Sequence, residues 1–326
     1  MNHIQLNKTD LKVSPICLGT SQFGTSLSRD LALWQLDAFA DAGGNFLDTA
    51  LVYGDWGTRE KAVSEKIIGQ WLKKSGKKDS MIIMTKGAHP LLETMHLTRC
   101  TPKDIKDDIT SSLTNLGVDK IDLYLLHRDN TSLPVDALLE TLEEAKLQGK
   151  IAHYGFSNWS YERIKEAESY AAKNKISGFV CNQIKWSLAD TNTDQISDKN
   201  MLPMGKDFYK WHKETGINVT AYNSTARAWF TKLESGIKLT ENLTKLYDNE
   251  TNKKIYSYIK EAAAELKLSV LDISLAYIRS HSFPSIPITS FSSKEQLTEA
   301  LASCDVILPE ELVGELNGIK GLKSRS

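Results

Sequence analysis

Eight times along this 326-residue chain a short apolar run gives way to a segment whose apolar residues recur at helical spacing. That alternation constrains the fold more than any other feature. The runs are Ile16 to Gly19, a strand from Asn45, Met81 to Met84, Ile121 to Leu126, Ile151 to Phe156, Gly178 to Cys181, Ile217 to Tyr222 and Pro284 to Ile288. Short, nearly continuous apolar runs read as strands covered on both faces, and each intervening helix returns the chain for another parallel strand. The spacing predicts helices at Arg29 to Asp41, across Val63, Ile67, Ile68 and Trp71, and across Ile105, Ile109, Leu113 and Leu116. The third of these has a start signal in Thr101 followed by Pro102. Further helices are expected at Pro134 to Gln148, Ser160 to Asn174, Lys206 to Thr215, Lys253 to Lys267, Val270 to Ser280 and Lys294 to Ser303.

Eight such units without a break in composition predict an α/β protein. The architecture expected is a single (β/α)8 TIM barrel domain over residues 1 to 326, not a doubly wound sheet. No G-x-G-x-x-G fingerprint follows an early strand, which also argues against a Rossmann fold. His3 to Leu6 and Leu11 to Val13 flank a turn-rich tetrapeptide and read as an N-terminal β-hairpin that plugs one end of the barrel. Pro309 to Ile319 reads as an extra C-terminal helix. The interval Ser224 to Tyr247 is polar and poorly periodic, and it is read as an active-site loop.

Charge narrows the function. Forty basic against 41 acidic residues leave a net charge of −1, so the chain offers no basic surface suited to nucleic acid or acidic lipid. A small neutral or weakly charged ligand suits it better as a partner. Cys17, Cys100, Cys181 and Cys304 lack metal-ligand spacing and read as reduced thiols. With no signal-peptide core and no apolar run long enough to span a membrane, a cytoplasmic location is expected.

In a parallel barrel, active sites form at the C-terminal ends of the strands. Asp48 ends the second strand and Tyr53 lies on the loop after it, while Lys86 follows the third strand and His127 closes the fourth. A carboxylate, a phenol, an ammonium and an imidazole at three successive strand ends form a set with complementary proton chemistry. Were the reaction reduction of a carbonyl, as the resemblance described below implies, negative charge would develop on oxygen and a donor would have to supply a proton there. Tyr53 is the expected general acid. A neighbouring ammonium favours phenolate, so Lys86 is expected to lower the pKa of Tyr53, with Asp48 holding Lys86 and His127 orienting the carbonyl oxygen. The same residues leave open a Schiff-base aldolase using Lys86 as nucleophile. Trp56, Trp159, Trp186 and Trp229 are expected on the active face with His89, Arg128 and Asp129, a mixture that suits a sugar, a polyol or an aromatic aldehyde.

The segments Gly44-Asn45-Phe46-Leu47-Asp48-Thr49-Ala50, Tyr53-Gly54 and Thr85-Lys86 carry a family resemblance. It continues through Leu116-Gly117-Val118-Asp119-Lys120-Ile121-Asp122-Leu123-Tyr124, Leu126-His127-Arg128, Gln148-Gly149-Lys150-Ile151 and Gly155-Phe156-Ser157-Asn158. With these motifs in this order, the sequence resembles the aldo-keto reductases over most of its length. The resemblance implies an oxidoreductase that reduces an aldehyde or ketone with NADPH or NADH, Asp48, Tyr53, Lys86 and His127 being its catalytic tetrad. It further implies that Ser157, Asn158 and Gln183 hold the nicotinamide carboxamide and that Tyr222 stacks on the ring. Gly19, Thr20, Ser290, Ser292, Lys294 and Gln296 complete the implied cofactor site. Some relatives implied by the same likeness are channel-associated or sensor subunits that bind nicotinamide with little turnover. The chain departs from the family where relatives read Pro-Ile-x-Gly-x-Arg, having Pro287-Ile288-Thr289-Ser290-Phe291-Ser292 instead. A serine in place of that arginine implies a weakened grip on the 2′-phosphate, for which Lys294 is a partial stand-in. Ser224-Thr225 likewise replaces the usual Pro-Leu of the pyrophosphate loop.

Overall fold

The computed structural model describes residues 1–58 and 60–322. A two-stranded antiparallel hairpin, β1 (Ile4–Gln5) and β2 (Lys12–Val13), precedes the barrel. Eight parallel strands follow: β3 (Cys17–Gly19), β4 (Phe46–Asp48), β5 (Ile82–Gly87), β6 (Ile121–Leu126), β7 (Ile151–Ser157), β8 (Cys181–Lys185), β9 (Asn218–Tyr222) and β10 (Ser285–Thr289). They pair in chain order, and β10 closes onto β3. This is the (β/α)8 barrel that the alternation predicts.

Local signals account for the element ends. Thr101 and Asp104 form a reciprocal capping box with Pro102 at the first helical position, and Gly117, at φ 65°, ends that helix in the left-handed region. Ser28 and Ser160 cap the helices Arg29–Asp41 and Tyr161–Asn174 by accepting from backbone N–H groups. Leu6, Leu11 and Val13 of the hairpin pack against Cys17, Phe46, Met84, Leu123, Leu125, Cys181 and Ile286, filling the N-terminal end of the barrel. The four cysteines are free and buried.

Two expectations need correction. The sixth strand runs Cys181–Lys185, not Gly178 to Cys181, because its pairing partners accept the polar residues Asn182, Gln183 and Lys185 that an apolar-run criterion discounts. The interval Ser224 to Tyr247 is not one irregular loop but contains the helices Trp229–Glu234 and Glu241–Tyr247. Both are short, and Trp229, Phe230, Leu243 and Tyr247 anchor them in a tertiary core, which local periodicity over so few residues does not reveal. The tail helix is Glu310–Ile319. Among the described residues no helix is long and apolar enough to cross a membrane.

Candidate active site

Parallel register brings the four predicted chemical groups together at the C-terminal ends of β4, β5 and β6. Asp48 is the last residue of β4 and pairs with Met84, two residues before Lys86 on β5. The amide of His127 donates to the carbonyl of Gly87 (2.8 Å), which fixes it just beyond β6. The Lys86 side chain is fully buried. Its Nζ donates to Asp48 Oδ1 (2.7 Å), to the Thr49 carbonyl (2.6 Å) and to Tyr53 Oη (3.0 Å).

Three acceptors match the three N–H bonds of an ammonium. Burial opposes that charge, but Asp48 and Tyr53 outweigh it and hold Lys86 above the ordinary lysine value. A lysine so engaged has no lone pair to attack a carbonyl, which removes the observation on which a Schiff-base role would rest. Burial pushes the Asp48 carboxyl up, against the pull of Lys86 and of the bond from Gln183 Nε2 to Asp48 Oδ1 (2.8 Å).

The pKa of Tyr53 departs from expectation. Burial raises it above the ordinary phenol value, and Asp48 adds to the rise. Lys86 pulls the other way without prevailing. Residue types disclose the ammonium beside Tyr53 but not its desolvation. Tyr53 is therefore held as the protonated phenol, the form a proton donor requires. His127 is held well below the usual imidazole range by burial and then by Lys86, His89 and Arg128, so its ring is neutral. Its Nδ1 is buried with no partner among the described residues, and its ring lies 5.9 Å from that of Tyr53 and 4.7 Å from that of His89.

The residues assigned to a cofactor fall into three places. Ser157 Oγ donates to the Gln183 carbonyl (2.8 Å), Asn158 Nδ2 donates to Ser157 Oγ (2.9 Å) and Tyr222 Oη donates to Asn158 Oδ1 (3.0 Å). Asn158 itself sits at φ 60° in the left-handed region. These four residues thus form one linked group across the ends of β7, β8 and β9. Ser290 Oγ donates to the Gly19 carbonyl (2.9 Å), and a Cβ on Gly19 would meet Ile288 Cγ2 and Ser290 Oγ at 2.8 Å, so this approach requires glycine. Thr20 is buried, its hydroxyl donating to the Asp48 carbonyl (2.8 Å). At the head of the helix Lys294–Ala302, the Ser292 amide and hydroxyl both donate to Gln296 Oε1 (2.9 Å each), and Lys294 Nζ lies 4.7 Å from the Trp34 ring centroid.

Of the four tryptophans expected at the site, only Trp56 stands there exposed, its ring 5.9 Å from that of Tyr53. Trp159, Trp186 and Trp229 are buried, packing against Phe179, Phe283 and Tyr247 respectively. Arg128 donates to Asp198 Oδ2 (2.8 Å) and to the His127 carbonyl (3.1 Å). Asp129 is engaged by Arg163 (3.1 Å).

Two cations at this face escaped the sequence reading. Lys185 ends β8 and is buried, donating to Tyr247 Oη (2.9 Å) and Thr191 Oγ1 (3.0 Å). No carboxylate lies within ion-pair distance of it among the described residues, and burial, then Arg227 and Lys320, bring its pKa down to about 8. Arg227 sits in a run of three left-handed residues, Ala226, Arg227 and Ala228, at φ 51°, 57° and 61°. Left-handed non-glycine residues carry backbone strain and often mark functional loops. Lys185 was detectable as the residue two beyond Gln183 on the same face of a strand. The conformation of the Arg227 loop has no local signal.

A model of the aldo/keto reductase family matches residues 15–320. The chain is 26% identical over 328 residues to an uncharacterized oxidoreductase, YrpG, of Bacillus subtilis, covering 98% of this chain and 96% of that protein. It is 26% identical over 331 residues to an aryl-alcohol dehydrogenase [NADP(+)] of Phanerodontia chrysosporium, covering 94% and 82%. A crystal structure of a thermostable aldo-keto reductase in complex with the inhibitor epalrestat superposes with a TM-score of 0.71 at 23% identity, covering 98% of this chain and 100% of that one.

Proposed function

The chain belongs to the aldo/keto reductase family, an NAD(P)H-dependent reductase by that membership, and on that premise we propose that it reduces an aromatic aldehyde or ketone with Tyr53 as the acid. The observation that carries the proposal is the buried Lys86 ammonium, bonded at once to Asp48 and to Tyr53 Oη.

The barrel mouth suits a nicotinamide dinucleotide. Thr289 Oγ1 is buried at the end of β10 with no partner among the described residues. The Ser157–Asn158–Tyr222 group presents amide and aromatic surface, and Lys185 and Arg227 supply positive charge with no carboxylate paired to them among the described residues. These residues and Gly19 would hold the cofactor, Lys185 and Arg227 favouring its phosphates. When bound, a reduced nicotinamide supplies hydride to the carbonyl carbon.

Tyr53 Oη then gives its proton to the carbonyl oxygen. The phenolate so formed faces the Lys86 ammonium along the existing 3.0 Å bond, and Asp48 keeps that ammonium charged and in place. Neutral His127 donates a ring N–H to the same oxygen. Positioned acid catalysis of this kind contributes ~10² to 10⁴ in rate.

The aromatic substrate class rests on Trp56, exposed beside Tyr53, and on the aryl-alcohol dehydrogenase likeness. A polyol would need free polar groups, whereas Arg128 and Asp129 are already engaged. The cofactor proposed is NADPH or NADH with weak discrimination, because no guanidinium stands at Ser292. Tyr53→Phe should lower turnover of an aromatic aldehyde by ~10² or more while cofactor affinity stays within about twofold. Unchanged turnover in that variant would overturn the acid assignment, and a higher kcat/KM for an aldose than for benzaldehyde would overturn the substrate class.

A further inference from the structure

A cavity of about 440 Å³ opens outside the barrel wall, between the helices Val63–Ser75 and Pro102–Leu116. Lys86 and Gly87 of β5 form part of its lining, whereas Tyr53, His127 and Tyr222 do not, so the cavity lies behind the catalytic groups and not in the cleft they face. Its size falls within the range of small-molecule sites.

Two features define what would fill it. Leu51, Val52, Ala62, Pro90, Leu91 and Leu92 give it an apolar wall, and Trp56, Leu91, Met95 and Leu97 stand exposed on the two loops that border it. The Lys61–Glu93 contact (3.5 Å) joins those loops. Against this wall stand Lys61, Lys66 and Arg99. The acids of the lining are already engaged. Asp108 accepts from the Ala88 amide (2.8 Å) and from both terminal nitrogens of Arg99, and Asp55 accepts from the Ala62 amide (2.8 Å). Among the described residues Lys66 pairs with the half-exposed Glu60 at 3.4 Å and Lys61 with Asp55 and Glu93 at 3.5 Å each, and pairs made by such exposed lysines are weak and readily exchanged.

The cavity shares its wall with the catalytic groups. Leu51, Val52 and Asp55 line it, while Tyr53 on the same turn reaches Lys86. His89 also lines it and packs its ring 4.7 Å from that of His127. The Leu51 amide donates to the Lys86 carbonyl (3.0 Å), tying this turn to β5. A body lodged here would press on the turn that carries the proton donor and on the ring beside the orienting histidine.

We propose that this cavity is an effector site for an amphipathic anion, an apolar body bearing a carboxylate, sulfonate or phosphate held by Lys66 and Lys61, whose occupancy alters turnover at Tyr53. The regulatory part rests on the reductase reading; the binding part does not. Anilinonaphthalene sulfonate, an aromatic anion, is a suitable probe, titrated into the protein with NADPH in excess and followed both by fluorescence and by carbonyl turnover.

The expected result is saturable binding that excess NADPH does not displace, with turnover shifting by at least about twofold along the same curve. Lys66→Glu should weaken binding by about tenfold or more, the loss of a charge-assisted contact, with turnover in the absence of probe unchanged. Ser111→Trp, which fills the cavity from an exposed helix position, should abolish both binding and its effect. Displacement of the probe by NADPH or substrate, equal binding by both variants, or binding that leaves turnover unmoved would overturn the proposal. Should no carbonyl be turned over at all, the reductase reading fails, and probe binding by wild type, Lys66→Glu and Ser111→Trp still decides whether the cavity is a site.

Discussion

Lys86 imposes the requirement that its neighbours meet, because a fully buried ammonium is tolerated only when its protons are all accepted. Asp48, Thr49 and Tyr53 do that, so the types at positions 48, 53 and 86 already point in the sequence to a common site. What residue types could not disclose is the balance at Tyr53, where desolvation prevails over the ammonium. Cofactor choice belongs at this scale too. Ser292 is engaged with Gln296, and the nearest cation in sequence, Lys294, is a point charge over Trp34. Dissociation constants for NADPH and NADH should therefore lie within about tenfold of each other, and Ser292→Arg should favour NADPH by roughly ten- to a hundredfold. A wild type that prefers NADPH a hundredfold, losing that preference in Lys294→Ala, would instead assign 2′-phosphate recognition to Lys294.

At the scale of elements, β8 shows how the helical layer is attached. Asn182 points outward from it, with Nδ2 donating to His212 Nε2 (3.0 Å), while His212 Nδ1 donates to the Ile217 carbonyl (2.9 Å). This pairing requires a neutral imidazole and ties the helix Lys206–Thr215 to the barrel. Burial accordingly holds His212 at about 4. The unfolded chain, with histidine near ~6.5, takes up its proton first as pH falls. This group therefore costs no stability above the unfolded value, and the loss grows as pH drops from about 6.5 to about 4, reaching on the order of 3 kcal/mol. Urea midpoints at neutral pH and near pH 4 should fall further in wild type than in His212→Gln. An equal fall in both would show that His212 does not carry the acid sensitivity. The displaced strand boundary has the same origin, since Asn182, Gln183 and Lys185 are polar for reasons of attachment and site chemistry.

For the whole molecule, the barrel separates a stabilising end from the end at which the chemistry is proposed. The hairpin residues Leu6, Leu11 and Val13 close the N-terminal end, and Asn7 and Asn218 exchange bonds (2.8 and 2.9 Å) that hold the hairpin to β9. Leu6 is almost wholly buried, so Leu6→Ala should cost about 2 to 5 kcal/mol in unfolding free energy. KM for carbonyl and cofactor should stay unchanged, since the proposed site occupies the opposite end. A raised KM with unaltered stability would contradict that division. The sequence by itself determined the repeated strand and helix units, the hairpin, the order of the eight strands and the proximity of Asp48, Tyr53, Lys86 and His127. These follow from local periodicity and from the rule that parallel strands place their ends on one face. Only the tertiary structure decided the boundaries of β8, the burial of Trp159, Trp186 and Trp229, the pKa direction of Tyr53, the burial of Lys185 and the cavity behind Lys86. Each of those depends on which atoms exclude water from which others, a relation between residues far apart in the chain that local periodicity does not encode.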